Sequence, residues 1–418
     1  MTVSAPQAAW ITDAHPMLLG FGGRGSGKSH AMAVWALCRV IGHVGHRLQL
    51  TSPTFKKTEI LWWRIIHTLP SLDWLRPGRE GISRSARELR FINGSVIRFF
   101  SADDPASLRG EDNDDAGIDE RQEIGQAAVA NVLFSLRRRA DYRLRQIGTP
   151  RVGTDFAEEH DRYRELPHAQ VMRFSSFDNP FIPHDVFHHA RLSLDERLYR
   201  QEVLAEWVPQ NALVYWSFTV ADNVRPWRST DKDCTRRFCL DRYRTVSDVI
   251  IGVDYPGHAV VYRVRDNDVL HAVDEVAFTA NTSASVIGRE LVAKGYARSL
   301  VFDDASGSYG STAQSPGRIL RQMGFTCHHP KKNPHVEDRV NALSARIKTA
   351  AGEIKWFVDP KCRQLIRALE IQTRVKGKPD KSLVGVDDIL DAAGYPVVRL
   401  FPAGAGAFDA LDRVVMAS

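Results

Sequence analysis

Between Met17 and about Pro150, short apolar runs alternate with longer helix-like segments, the grammar of a parallel sheet wrapped by helices. The pattern predicts strands over Met17–Phe21, Arg47–Thr51, Leu89–Phe91, Val96–Ser101, Ala116–Asp119 and Leu144–Gly148. Helices are expected over Lys28–Ile41, Lys57–Thr68 and Ala127–Arg138. Asn93-Gly94, set between two alternating runs, predicts a hairpin turn. From about Ala205 to Asp248 the pattern turns irregular, with Pro209, Pro226 and mixed charges and aromatics. A new apolar run, Val249–Val253, ends in Asp254 and is followed by strand-like Ala259–Val264 and Val269–Val273, then helices, then Ser299–Phe302. The expected organisation is α/β throughout: one domain over 1–208, a linker over 209–247 and a mixed α/β domain over 248–418. With 418 residues, each half is long enough to bury its own core.

Composition changes this picture little. The apolar fraction of 43% and charged fraction of 25% are those of a globular protein. No run is long enough to cross a bilayer and the first residues lack the order of a signal peptide, so no membrane partner and a cytoplasmic setting are expected. Cys38, Cys234, Cys239, Cys327 and Cys362 are scattered, with no zinc-site spacing, and read as reduced and structural. A net charge of +6 points to a polyanionic partner, although so modest an excess also fits a solubility feature. The 43 arginines against 13 lysines fit bidentate phosphate contacts, or a GC-rich genome.

Chemistry enters with Gly22-Gly23-Arg24-Gly25-Ser26-Gly27-Lys28-Ser29, a G-x-x-x-x-G-K-[ST] phosphate loop between an apolar strand and a helix. Backbone N–H groups converging at a helix N-terminus hold concentrated negative charge. Lys28 is expected on the β and γ phosphates of ATP and the Ser29 hydroxyl on Mg²⁺. Hydrolysis needs a second, carboxylate-bearing strand, and Asp119-Glu120 after Ala116-Gly117-Ile118 supplies it. Asp119 would position Mg²⁺ and Glu120 would polarise the attacking water. Gly148-Thr149-Pro150 closes another strand, where Thr149 can sense the γ phosphate or simply make a turn.

A second constellation lies in the later half. Asp254, Asp303-Asp304 and Asp387-Asp388-Ile389-Leu390-Asp391 end strands or open a helix. Gathered in one cleft, they would need two Mg²⁺ or Mn²⁺ ions, roughly 3.5–4 Å apart in two-metal phosphodiester chemistry. Asp387 and Asp388 each lie about one turn from Asp391. Spacing does not choose among them; Asp388 is favoured, with Asp391 next. Lys331–His335 and Arg374–Lys381 are basic, expected to be looped, and suited to duplex phosphates without reading sequence. Arg137-Arg138-Arg139 is expected to compensate a helix dipole.

The order Gly22–Ser29, Ser107-Leu108-Arg109-Gly110, Asp119-Glu120, Gly148-Thr149-Pro150, then Asp254, Asp304-Ala305-Ser306-Gly307 and Asp388-x-x-Asp391-Ala392, resembles the terminase large subunit of tailed bacteriophages. The likeness runs from roughly Gln7 to Tyr395. It implies an N-terminal phosphate-loop NTPase motor that drives double-stranded DNA into procapsids, and a C-terminal ribonuclease-H-like nuclease that cuts concatemers. It implies an adenine-reading role for Gln7 and makes Arg24 or Arg109 the arginine finger. It favours Asp304 over Asp303 and implies a small terminase subunit and a portal protein as partners, with a homo-oligomeric ring when docked. The rivals are a helicase-like or DNA-repair ATPase, for which no second set of motor motifs follows Ala205, and a DNA-binding scaffold without chemistry.

Overall fold

The structure, a computed structural model, describes residues 2–209, 213–228, 238–239, 246–247, 249–255, 257–265, 268–278, 282–308, 315–375, 378–383 and 385–403. These fall into two compact units, one within Met1–Phe187 and Arg200–Pro209, the other within His188–Tyr199 and Gln210–Asp409.

The first unit is built on eight strands: β1 Met17–Gly22, β2 Arg47–Ser52, β3 Ile82–Ser83, β4 Glu88–Arg90, β5 Val96–Ser101, β6 Asp115–Ile118, β7 Arg143–Gly148 and β8 Ala169–Phe174. Their order is β3-β4-β5-β2-β6-β7-β1-β8. All pairs from β5 to β8 across this sheet are parallel, and the antiparallel pairs β3–β4 and β4–β5 close one edge. The Asn93-Gly94 hairpin therefore forms as expected. β1 and β6 are buried along their whole length, as strands covered by helices on both faces must be. Trp10, from the helix Ala5–Thr12, meets Trp35 and Phe174 edge-on in this core. That helix, the helix Asp155–Glu165 and strand β8 carry no pattern strong enough to anticipate.

The helix expected to reach Arg138 instead ends at Ser135, so Arg137-Arg138-Arg139 lies beyond it. These arginines pair with Asp112, Asp114 and Asp141 respectively and compensate carboxylates rather than a dipole.

In the second unit Phe238–Cys239 (β9) and Val246–Ser247 (β10) form a two-stranded ribbon. The main sheet contains β11 Val249–Asp254, β12 His258–Arg265, β13 Val269–Ala277, β14 Leu300–Asp303, β15 Thr326–His328 and β16 Trp356–Val358, in the order β15-β14-β11-β12-β13-β16. The three successive strands pair antiparallel, and β14 and β15 add in parallel. Within the segment expected to link the halves, Val214, Tyr215 and Phe218 pack in this unit's core. Asn223 there donates to the carbonyls of Ile347 and Trp356. The expected basic loop Arg374–Lys381 instead contains a hairpin, β17 Arg374–Val375 and β18 Lys378–Pro379; Lys376 and Gly377 lie outside the described residues. Cys38, Cys327 and Cys362 are free thiols, and Cys234 lies outside the described residues.

The helix Val386–Leu400 presses directly on β11, because Gly252 presents no side chain there: a Cβ would overlap the carbonyl oxygen of Ala392. Gly252→Ala must push helix and strand apart, and should cost about 1–3 kcal/mol in denaturant unfolding, with an unchanged midpoint ruling out this account.

Candidate nucleotide site and carboxylate cluster

β1 ends at Gly22 and the helix Lys28–Gly42 begins after a short loop, with Gly27 in the left-handed region at φ +83°. Side chains hold the intervening loop by its carbonyls. Gln7 Nε2 donates to Ser26 O (3.2 Å), Ser176 Oγ to Arg24 O (2.6 Å) and Asn179 Nδ2 to Gly25 O (2.7 Å). Gln7 Oε1 accepts from Ser4 N–H at 2.9 Å, capping its own helix, so both ends of its buried amide are engaged, one with the helix start and one with the loop. Lys28 Nζ donates to the carbonyls of Gly22 (2.8 Å) and Gly23 (2.7 Å). Burial lowers its pKa, against the nearby carboxylates Glu120, Glu202 and Asp119. Arg24 is half-exposed, with Nε 3.5 Å from Glu202.

β7 separates β1 from β6, and the C-terminal ends of all three meet at one edge: Gly148 pairs with Phe21 and Ile118 with Gln146. Asp119 and Thr149 follow directly. Ser29 Oγ donates to Asp119 Oδ1 at 3.2 Å, joining hydroxyl and carboxylate at one point. Burial, then the Glu120 charge, pushes Asp119 up to about 6. Burial alone would raise Glu120 too, but Lys28, the hydrogen bond from Gln122, Lys57 and Arg24 together hold it below the usual range. Glu120 sits at φ +53°, a strained conformation for a residue with a side chain. The next residue explains it: Arg121 is fully buried, ion-paired to Glu159 at 2.8 Å and bonded to Gln146 Oε1 at 3.0 Å. Ser29 and Asp119 thus form an oxygen-donor pair that suits a hard divalent cation, whose charge would relieve the buried Asp119.

The structure brings together Gln7, Gly22–Ser29, Asp119, Glu120 and Thr149. Arg109 ends a short 3₁₀ turn, Pro105–Leu108, and is exposed. Sequence reasoning missed Gln122, Ser176, Asn179 and Glu202, which carry no motif. It also missed Arg64, whose charge acts on Asp119 from the helix Phe55–Thr68 and whose Nε is buried without a hydrogen bond.

In the second unit, Asp254 closes β11 and Asp303 closes β14, in parallel register. The helix Val386–Leu400 supplies Asp387, Asp388 and Asp391. Burial, then the charges of Asp391, Asp304 and Asp388, pushes Asp254 up to about 8, although Tyr395 donates to its Oδ1 at 3.0 Å. Asp391 is pushed up to about 6 by burial, with Arg339 opposing at 2.9 Å. Asp388 Oδ2 lies 3.9 Å from Nδ1 of the buried His258. The four aspartates therefore share one electrostatic neighbourhood, and Asp391 acts on Asp254 more strongly than Asp388 does.

Asp303 is different. Arg321 donates to His329 Nε2 at 2.6 Å, which puts the ring proton on Nδ1, and that nitrogen donates to Asp303 at 3.0 Å. Tyr255 donates to its other oxygen at 3.1 Å. Asp303 anchors the strand end, whereas Asp304, among the described residues, accepts from its own turn, from Ser306 N–H at 3.0 Å and the Ser306 hydroxyl. The Lys331–His335 loop reaches the same turn, Asn333 Oδ1 accepting from Ala305 N–H. Among the described residues no three metal-ligating side chains converge closely enough to grip an ion as arranged.

No protein-family model matches this sequence, and no curated protein matches it. Solved structures do. The large terminase of a thermophilic bacteriophage aligns over 96% of this chain and 99% of its own, with a TM-score of 0.64 at 14% identity. The complexes of that same terminase with ADP (TM-score 0.62, 16% identity) and ATP-γ-S (TM-score 0.62, 15% identity) each cover 95% of this chain and 99% of theirs. Along nearly its full length, this α/β chain resembles the phage large terminases and shares their fold.

Proposed function

We propose that this chain is an ATP-driven DNA-packaging enzyme, with a motor in residues 1–208 and a metal-dependent endonuclease in 248–418, joined along the chain by 209–247, part of which packs in the second unit's core. The observation that carries the proposal is the joint presence of the Lys28–Ser29–Asp119–Glu120 constellation and the Asp254–Asp304–Asp388–Asp391 neighbourhood in one chain. The thermophilic phage terminase structures with ADP and ATP-γ-S support a nucleotide role for the first unit.

In the motor, Ser29 and Asp119 would hold Mg²⁺, which neutralises phosphate charge when bound. Lys28 would leave the carbonyls of Gly22 and Gly23 for the β and γ phosphates. Glu120, kept ionised at neutral pH, accepts a hydrogen bond from water and orients it. Arg24 stabilises the charge of the transferred phosphoryl group, and the exposed Arg109 is free to act on a neighbouring copy in a ring.

In the nuclease, Asp254, Asp304, Asp388 and Asp391 would hold two Mg²⁺ or Mn²⁺ ions, the charge that this buried acidic neighbourhood requires. Lys331, Lys332, Lys378 and Lys381 would bring duplex DNA to it through phosphate contacts. A small terminase subunit and a portal protein complete the proposed packaging assembly in the host cytoplasm. No helix among the described residues is long and apolar enough to cross a membrane.

Lys28→Ala and Glu120→Gln should each lower ATP turnover by about 10²–10⁴-fold while leaving Mn²⁺-dependent plasmid cleavage intact. Asp254→Asn and Asp304→Asn should do the reverse, and plasmid cutting by both at the wild-type rate would remove the nuclease from the proposal.

The Asp254 shift also has a thermodynamic signature. Its folded pKa, about 8, lies above the ordinary 3.8, so between these values the native state holds a proton that the unfolded chain has released. In that window the carboxyl's contribution falls as pH rises. In EDTA, unfolding stability should therefore decline from pH 4 towards pH 8 more steeply in wild type than in Asp254→Asn, and added Mn²⁺ should reduce the difference. Parallel pH profiles for the two proteins would contradict the shift.

A further inference from the structure

At the end of β6, one side chain joins two parts of the nucleotide site that belong to different strands. Gln122 Nε2 donates to Glu120 Oε2 at 2.6 Å, and its Oε1 accepts from the backbone N–H of Thr149 at 2.9 Å. The partners assign this orientation. A carboxylate can only accept and a peptide N–H can only donate, so the amide has one way to face both.

The surroundings leave the bridge little freedom. Arg121, clamped by Glu159 and Gln146, fixes the turn from which both Glu120 and Gln122 project. Gly148 admits the amide to the end of β7: a Cβ there would stand 2.5 Å from Gln122 Oε1. No other residue type of this reach satisfies both partners. Glutamate would set a second carboxylate against Glu120, lysine and arginine would have no acceptor for Thr149, and alanine would leave both groups unjoined.

Topology gives the bridge its consequence. β7 lies between the strand that leads into the phosphate loop and the strand that carries Asp119-Glu120. Its Gly148 is register-paired with Phe21, one residue before the loop begins. Any displacement of the β7 end would therefore carry Thr149 with it, and Thr149 is tied through one amide to the Glu120 carboxylate.

We infer that Gln122 is a positioning residue that sets the Glu120 carboxylate according to the position of the β7 end, coupling occupancy of the phosphate loop to readiness for hydrolysis. The inference rests on the ATPase role proposed above. It assigns Gln122 no contact with nucleotide, so its loss should act on turnover and spare binding.

The test uses the full-length protein and its Gln122→Ala and Gln122→Glu variants, with ATP turnover and the affinity for a fluorescent ADP analogue measured side by side. Gln122→Ala should lower kcat about 10- to 100-fold, the range expected when a catalytic group is held loosely, while the ADP-analogue Kd stays within about twofold. Gln122→Glu, nearly isosteric and able to accept from Thr149, keeps half of the bridge but repels Glu120. Its kcat should fall at least as far, which separates loss of Glu120 control from simple loss of packing. Wild-type kcat in either variant, or loss of binding and turnover in the same proportion, overturns the inference. If wild type hydrolyses ATP, Lys28→Ala does not and both Gln122 variants turn over normally, only the role of Gln122 falls. If wild type itself does not hydrolyse ATP, the ATPase role falls and this inference with it.

Discussion

Parallel strands deliver their C-terminal residues to one edge of a sheet, and each constellation in this protein depends on that constraint. In an open α/β sheet the crevice outside the strand ends is where ligands meet the chain. In the first unit the ends of β1, β7 and β6 place the phosphate loop, Thr149 and Asp119-Glu120 side by side. In the second, β11 and β14 bring Asp254 and Asp303-Asp304 to the same edge. Residues far apart along the chain become neighbours because their strands share a direction and a register.

Once gathered, the acids face an electrostatic cost, and the two units meet it differently. Around Glu120, cations and an amide outweigh burial and keep the carboxylate ionised. Asp119, deeper and beside Glu120, has too little compensation, and its pKa rises. In the second unit Asp254 carries the largest burden, with Tyr395 as its hydrogen-bond donor and three other aspartates acting on it. Of the partners nearby, Arg339 sets positive charge on Asp391 at the rim, whereas His329 gives Asp303 a hydrogen bond and leaves the centre uncompensated. A buried acidic centre left short of positive charge is the chemical condition that divalent cations satisfy.

The left-handed backbone of Glu120 ties fold to chemistry. Strain of this kind survives only where neighbouring contacts over-determine it. Here the buried Arg121–Glu159 pair, with Gln146 and Tyr163, supplies those contacts, so a polar network in the core settles where a candidate catalytic carboxylate stands. In the second unit the close approach of the helix Val386–Leu400 at Gly252 does comparable work, holding Asp388 and Asp391 over the end of β11.

Local pattern alone was enough for much of this protein. The strand–loop–helix around Gly22–Ser29, the run that ends in Asp119-Glu120 and the strand that closes at Asp254 could be read directly, because burial on both faces leaves unbroken apolar runs and phosphate binding needs a fixed local spacing. Elements with weaker signals, such as the helix Ala5–Thr12 and β8, could not, since their burial comes from distant partners like Trp35 and β1. Strand order, the commitment of Asp303 to His329 and Tyr255, the exposure of Arg109 and the bridge made by Gln122 were decided only by the tertiary structure. Each depends on which side chains come within hydrogen-bonding reach across the sheet, and spacing along the chain carries no record of that distance.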